Sequence, residues 1–139
     1  ADAAQVWGGA TPTGAGYERG FFVTPAIIRD VVPDAAPAQD EIFGPVLATF
    51  TVDDLDEATT LANNTRYGLS ASLFTRDLGS ALGYIRGIHA GLVRVNADTT
   101  GVDPHAPFGG VKASSSGSRE QGSAAREFYT AIKTVQVSG

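Results

Sequence analysis

Hydrophobic and polar positions along the chain change their period several times, and each change marks an element. Phe21 to Ile28 is rich in aromatic and β-branched residues and is expected to be a strand. Residues 30–40 hold Pro33 and Pro37 with little periodicity, so a loop or a single helical turn is expected there. The run Val46 to Val52 is almost continuously apolar or β-branched, as in a strand covered on both faces within a parallel sheet. Asp54 with Glu57 three residues on then makes a capping-box-like start, and Leu55, Ala58, Leu61 and Ala62 share one helical face until Asn63 and Asn64. Tyr67-Gly68 turns into a second strand, Leu69 to Thr75. Asp77 can cap a second helix, whose Leu78, Leu82 and Ile85 lie on one face, and Gly91 leads to a third strand, Leu92 to Asn96.

Strand, helix, strand, helix, strand with short connections is the pattern of consecutive right-handed βαβ units, so the expected class is α/β, a parallel sheet with helices packed on it. Ligands of such sheets bind beyond the carboxyl ends of the strands, which makes the segment after Asn96 a candidate border of a site. Farther on, Ser118 with Gln121 forms another capping box for a helix carrying Ala125 and Phe128. Lys133 to Val137 is expected to be a terminal strand that pairs with another segment or chain. The opening Trp7 to Gly20 is read as loop and turn. Its Gly14-Ala15-Gly16 does not make a dinucleotide fingerprint, because Gly20 falls one position late and a strand rather than a helix follows. No internal repeat or boundary is visible, so residues 1–139 are taken as a single domain.

Composition narrows the class. With 139 residues and 42% hydrophobic content, the chain can bury a real core, and no apolar run approaches a bilayer span. The N-terminus lacks the basic start and apolar centre of a signal peptide, so a cytoplasmic protein is expected. A net charge of −5, with Lys and Arg scattered singly, argues against nucleic acid and anionic membranes as partners. The chain has no cysteine, which excludes disulfides, Cys-based zinc sites and a thiol nucleophile within it; no metal site is expected. The absence of Met and the start at Ala1 suggest a segment of something longer.

One stretch carries unusual chemistry for a strand entrance: Asp40-Glu41-Ile42-Phe43-Gly44-Pro45-Val46. If the backbone is extended, the Glu41 carboxylate and Phe43 ring point the same way and can grip a sugar hydroxyl and cover a flat ring. Spacing alone favours the plainer reading, a solvated Glu beside a core Phe before a turn.

Several motifs in order resemble the C-terminal part of the aldehyde dehydrogenase superfamily. Gly20-Phe21-Phe22-x-x-Pro25 is similar to the family's Gly-Tyr-Phe-x-x-Pro strand, and Asp40 to Val46 to its Glu-Glu-Ile-Phe-Gly-Pro-Val signature. Asn63 to Leu69 with Phe74-Thr75 follows its Ala-Asn-x-Thr-x-Tyr-Gly-Leu segment. Pro107-Phe108-Gly109-Gly110-x-Lys112, Arg119-Glu120 and Tyr129-Thr130-x-x-Lys133-Thr134-Val135 resemble its ending. The stretch Ala113 to Glu120 is one residue longer than the general family pattern. With Thr100-Gly101-Val102-Asp103-x-His105 and Arg119-Glu120-Gln121-Gly122, it looks like the 2-oxoglutarate semialdehyde dehydrogenase subgroup.

The resemblance implies an incomplete three-layer catalytic domain. It implies that Glu41 hydrogen-bonds the nicotinamide ribose hydroxyls of NAD or NADP, that Phe43 packs beside the nicotinamide, and that Phe108 lines the substrate tunnel. The loop Asn96 to His105 would shape aldehyde selectivity. On structural grounds alone Phe108 could equally be a core plug, His105 a surface or loop-packing residue, Lys112 and Arg119 anchors of the loop and helix start, and Lys133 structural.

The family reaction needs a cysteine thiolate to attack the aldehyde and a glutamate to activate water, and both come from earlier family segments. The chain therefore contains no catalytic residue. It is expected to be inactive alone and to bind the cofactor weakly or not at all. Its expected partners are a small-molecule aldehyde and, through an exposed strand edge or the terminal strand, further copies of itself. The alternative is a natural truncated, non-catalytic interaction or assembly module.

Overall fold

Backbone pairing starts earlier in the chain than the hydrophobic pattern suggests. The computed structural model describes residues 5–117 and 119–139, which group into two units, Ala1–Thr65 and Arg66–Gly139. In the first unit, β1 (Gln5–Gly8) ends inside the stretch expected to be loop, antiparallel to β2 (Ala26–Arg29) with Gln5 opposite Arg29 and Gly8 opposite Ala26. Gly8 makes this possible. It has φ +78°, and a Cβ there would sit 1.9 Å from the Pro25 carbonyl oxygen, so only glycine fits the exit from the strand. The Thr24 Oγ1 accepts the Ala10 N–H at 2.9 Å and extends the pairing beyond the glycine.

β2 is shorter than the expected Phe21–Ile28 strand. Pro25 lacks the N–H that a ladder needs, and regular pairing begins only after it. β2 runs parallel to β3 (Val46–Ala48), with Ala26 opposite Val46 and Ile28 opposite Ala48. β3 is likewise shorter than the Val46–Val52 run, and it is not covered on both faces, since Leu47 is 57% exposed. Ala26 and Val31 are the buried apolar residues of this unit.

Between β2 and β3 lies a single helical turn, α1 (Ala36–Gln39), as the prolines suggest. After β3 comes α2 (Leu55–Asn63). The Asp54 Oδ1 accepts the Glu57 N–H and the Glu57 Oε2 accepts the Asp53 N–H, both at 2.8 Å. The first bond is the cap that the Asp-x-x-Glu spacing implies, while Glu57 reaches back one residue beyond the N-cap, to Asp53 rather than Asp54.

The second unit is a βαβ element: β4 (Ser70–Leu73), α3 (Leu78–Gly87) and β5 (Leu92–Val95), with the strands parallel and Ser70 opposite Leu92. The Asp77 carboxylate caps α3 by accepting the Ser80 N–H at 2.6 Å, as expected. The helix turns a different face inward, however. Ala81, Tyr84 and Ile88 are buried, whereas Leu78, Leu82 and Ile85 are exposed. The Tyr84 hydroxyl reaches the Ser72 carbonyl on β4 at 3.4 Å, which orients that face toward the strands. Gly91 closes the element under the segment that follows, where a Cβ would lie 1.9 Å from the Gly109 carbonyl oxygen.

Two expectations for the C-terminal third are corrected. The expected helix forms only from Ala125 onward, where it carries Ala125 and Phe128, and does not include Arg119 to Gln121. Glu120 instead pairs with Phe108 in an antiparallel bridge and Gln121 has φ +67°, which an α-helix cannot accommodate. Regular structure resumes as a 3₁₀ turn, Gly122–Ala124, and α4, Ala125–Phe128. The cap expected at Ser118 lies outside the described residues. The terminal strand over Lys133–Val137 is also not formed, and residues 130–139 have no regular structure. A strand needs a partner for its backbone groups, and no described segment pairs with them. The class is α/β with parallel strand pairs, as expected, plus the unforeseen antiparallel β1.

Candidate functional site

The segment Asp40 to Val46 runs from the end of α1 into β3. Three hydrogen bonds fix its ends. The Gln39 Nε2 donates to the carbonyls of Pro33 and Asn64, both at 2.7 Å, and the Pro45 carbonyl accepts the Ala26 N–H of β2 at 2.9 Å. Between them the backbone is not extended. Phe43 has φ +54°, a left-handed conformation that costs a non-glycine residue on the order of 1–2 kcal/mol. The alternation that would aim Glu41 and Phe43 the same way therefore breaks at Phe43.

The core reading of this residue fails as well, because Phe43 is 92% exposed. Glu41 is exposed, with no hydrogen bond among the described residues. The loop thus presents an unengaged carboxylate and a strained, solvent-facing phenyl two residues apart. A carboxylate with both oxygens open can accept two hydroxyl protons, and an exposed ring face can cover a flat heterocycle. Backbone strain of this kind collects at ligand-holding positions.

Phe108 belongs to the second unit. Its N–H donates to the Glu120 carbonyl at 2.6 Å and its carbonyl accepts the Glu120 N–H at 2.9 Å. The Arg119 Nη1 donates to the Gly110 carbonyl, so Arg119 anchors the Gly109-Gly110 turn. Phe108 is half-buried and lines two depressions, so it is not a plain core plug. One, of about 210 Å³, includes Arg94, Val102 and Asp103. The other, of about 500 Å³, includes Leu69, Phe128 and the Ser114 to Ser116 run. Those serines are structural fasteners as well. The Ser114 Oγ accepts the Gly68 N–H at 2.9 Å and the Ser115 Oγ accepts the Gly110 N–H at 2.7 Å.

The loop after β5 is tied down by residues that sequence reasoning passed over. Arg94 Nη1 donates to the carbonyls of Asp98 at 3.2 Å and Thr100 at 2.6 Å, and Nη2 donates to Gly101 at 2.5 Å. A lone Arg inside Leu92-Val93-Arg94-Val95 was the available signal. Asn96 bridges both backbone groups of Thr75 at 2.9 Å, and the Ser72 hydroxyl donates to the Ala97 carbonyl. The Thr100 hydroxyl, then the Thr100 N–H and the Arg94 charge, hold the Asp98 carboxyl below the usual carboxylate range. His105 is a loop residue, its Nδ1 3.3 Å from Asp103 Oδ1 and its side chain 91% exposed. Lys133 is exposed.

Glu41 and Phe43 belong to one unit and Phe108 to the other. Among the described residues no cluster of three or more His, Cys, Asp or Glu could hold a metal ion. No helix among them is long and apolar enough to cross a membrane.

Comparison with known proteins agrees with the ordered motifs. The chain is 54% identical over 121 residues to the alpha-ketoglutaric semialdehyde dehydrogenase of Bacillus subtilis (strain 168), covering 87% of this chain and 25% of that protein. It is 49% identical over 134 residues to the alpha-ketoglutarate semialdehyde dehydrogenase of Haloferax volcanii, covering 96% and 28%. Its fold superposes on the crystal structure of an NAD-dependent aldehyde dehydrogenase from Sinorhizobium meliloti with TM-score 0.86 and 41% identity, covering 96% of this chain and 26% of that one. The chain therefore spans about a quarter of the length of these relatives, and the subgroup resemblance is matched by the two semialdehyde enzymes. Residues 1–135 match the aldehyde dehydrogenase family, and the chain belongs to it.

Proposed function

We propose that this chain works as the C-terminal portion of an aldehyde dehydrogenase catalytic domain, with residues 1–139 supplying part of the nicotinamide site and part of the substrate tunnel. The enzyme would oxidise an aldehyde, a semialdehyde on the strength of its relatives, to a carboxylate in the cytoplasm. The observation that carries this reading is the Asp40–Val46 loop, where Phe43 holds φ +54° with its ring 92% exposed beside the unengaged Glu41 carboxylate. That pair fits a ribose diol and a nicotinamide face. Glu41 would accept the two ribose hydroxyls, each charge-assisted bond contributing about 1.5–3 kcal/mol. Phe43 would fix the orientation of the ring, and Phe108 would wall the aldehyde's path. NAD or NADP, when bound, supplies the hydride acceptor.

The nucleophile cannot come from this chain, which has no cysteine, and the reading makes the isolated chain inactive. With only a few cofactor contacts, its affinity should be about millimolar or weaker. Titration of the purified 139-residue chain with micromolar NAD should give no saturable signal, and no NADH should appear on adding an aldehyde. Turnover by the chain alone would overturn the reading.

A second reading, an interaction or assembly module, is favoured by the C-terminal segment, where Ile132 is 96% exposed and Val137 90%. An open apolar segment of this kind suits pairing with another copy. Size-exclusion chromatography with light scattering tests it, and a clean monomer at all concentrations would count against it.

A further inference from the structure

Arg94 is the one charged residue of β5, and its guanidinium donates to three carbonyls of the loop that follows, those of Asp98, Thr100 and Gly101. This loop leaves the carboxyl end of a parallel strand, the position where α/β sheets bind ligands. Its other ties are local or lie at its start: the Ser72 hydroxyl donates to the Ala97 carbonyl, and the Asp98 carboxylate accepts the N–H and the hydroxyl of Thr100. A planar guanidinium is suited to this task, because its fork of donors can hold several acceptors in fixed relative positions, whereas an ammonium cannot.

Gathering three carbonyls onto one cation also fixes how the loop continues. Gly101 takes φ +81°, and the chain then enters Val102 and Asp103, which line the same depression as Arg94 and Phe108. Arg94 thus sets the height and direction of the loop wall that faces Phe108.

Resting on the reading under Proposed function, we propose that Arg94 is a positioning residue for aldehyde selection, acting through the backbone of residues 98–101 rather than by touching the aldehyde. Loss of the clamp should widen the loop's distribution of conformations. That misplaces the wall without altering the chemical groups that react, so discrimination between aldehydes should change more than the rate at saturation.

The test has two arms. In the 139-residue chain, Arg94→Met should raise amide exchange across residues 99–102 by about tenfold or more while the β4 and β5 amides keep their protection. Unchanged loop exchange would overturn the clamp. In the full-length enzyme that carries this chain, succinic semialdehyde and acetaldehyde serve as probes. Arg94→Met should raise KM for the larger aldehyde about 10- to 100-fold with kcat nearly retained, and acetaldehyde should be affected far less.

Arg94→Lys, which keeps the cation but not the fork, should fall between wild type and Arg94→Met. It also provides the readout should the methionine variant fold poorly. Equal losses of kcat for both aldehydes, or no change in either variant of an active enzyme, would overturn the proposal. A full-length wild-type enzyme that oxidises neither aldehyde would sink the functional reading, and the selectivity role with it, while the exchange arm still reports on the clamp itself.

Discussion

At Phe43 the chain accepts a cost that nothing in its own fold repays. A phenylalanine at φ +54° carries left-handed strain, and with the ring 92% exposed it gains almost none of the roughly 1.5–3 kcal/mol that burying such a side chain returns. Glycine would occupy the same backbone position without the steric penalty, though it would enlarge the conformational entropy of the unfolded chain. Phe43→Gly should therefore leave the isolated chain equally stable or stabilise it by up to about 1 kcal/mol, measured by urea denaturation. A loss of more than about 1 kcal/mol would mean that the ring is packed in solution. This conformation was not legible in the sequence. The Glu-x-Phe spacing reads as an extended pair, and only the pinning of Gln39 to Pro33 and Asn64, with Pro45 on β2, forces the turn that lifts the ring into solvent.

The elements divide by the range of the forces that make them. Helices α2 and α3 start where Asp54 and Asp77 accept a backbone N–H three residues on, a signal contained in four residues and therefore readable in the sequence. Which face of α3 turns inward was not readable, because Leu78, Leu82, Ile85 and Ala81, Tyr84, Ile88 are both apolar rows at helical spacing. The Tyr84–Ser72 contact across the element decides it. Strand β1 was missed for a similar reason, since its partner β2 begins 18 positions downstream of its end and its glycines look like a loop.

The α3 cap also carries a pH dependence. The Ser80 backbone N–H, followed by the Ser80 side chain, lowers the Asp77 pKa below 3.8 in the folded chain. A carboxyl with a depressed folded pKa stabilises the native state fully above its unfolded value and loses that contribution as pH falls through the folded one. The first turn of α3 should loosen on acidification below about pH 4, seen as faster exchange of the Ser80 amide. Asp77→Asn, which still caps but does not titrate, should remove this pH dependence while keeping the helix. If the asparagine variant shows the same acid-induced exchange, another group is responsible.

For the whole molecule, the order of motifs from Gly20 to Val135 made the family legible. The motifs also have backbone roles that the sequence does not display, such as the close approach of the Gly109 carbonyl to Gly91. The C-terminal segment was legible only as a preference. Lys133 to Val137 has strand composition, but a strand is a property of two segments, and here Ile132, Val135 and Val137 are 96%, 71% and 90% exposed. Side chains left in water contribute little to the fold, so deleting residues 131–139 should move the unfolding free energy of the chain by no more than about 0.5 kcal/mol. The same deletion removes the most exposed β-branched residues of the chain's end, and with them a template for intermolecular pairing. Concentration-dependent association, followed by light scattering, should weaken in the shortened chain. A shortened chain that unfolds much more easily would show that the segment packs against its own unit in solution. Unaltered association would move the self-pairing surface elsewhere, with the exposed row of Trp7, Ile27 and Leu47, brought into register by β1, β2 and β3, as the next place to test.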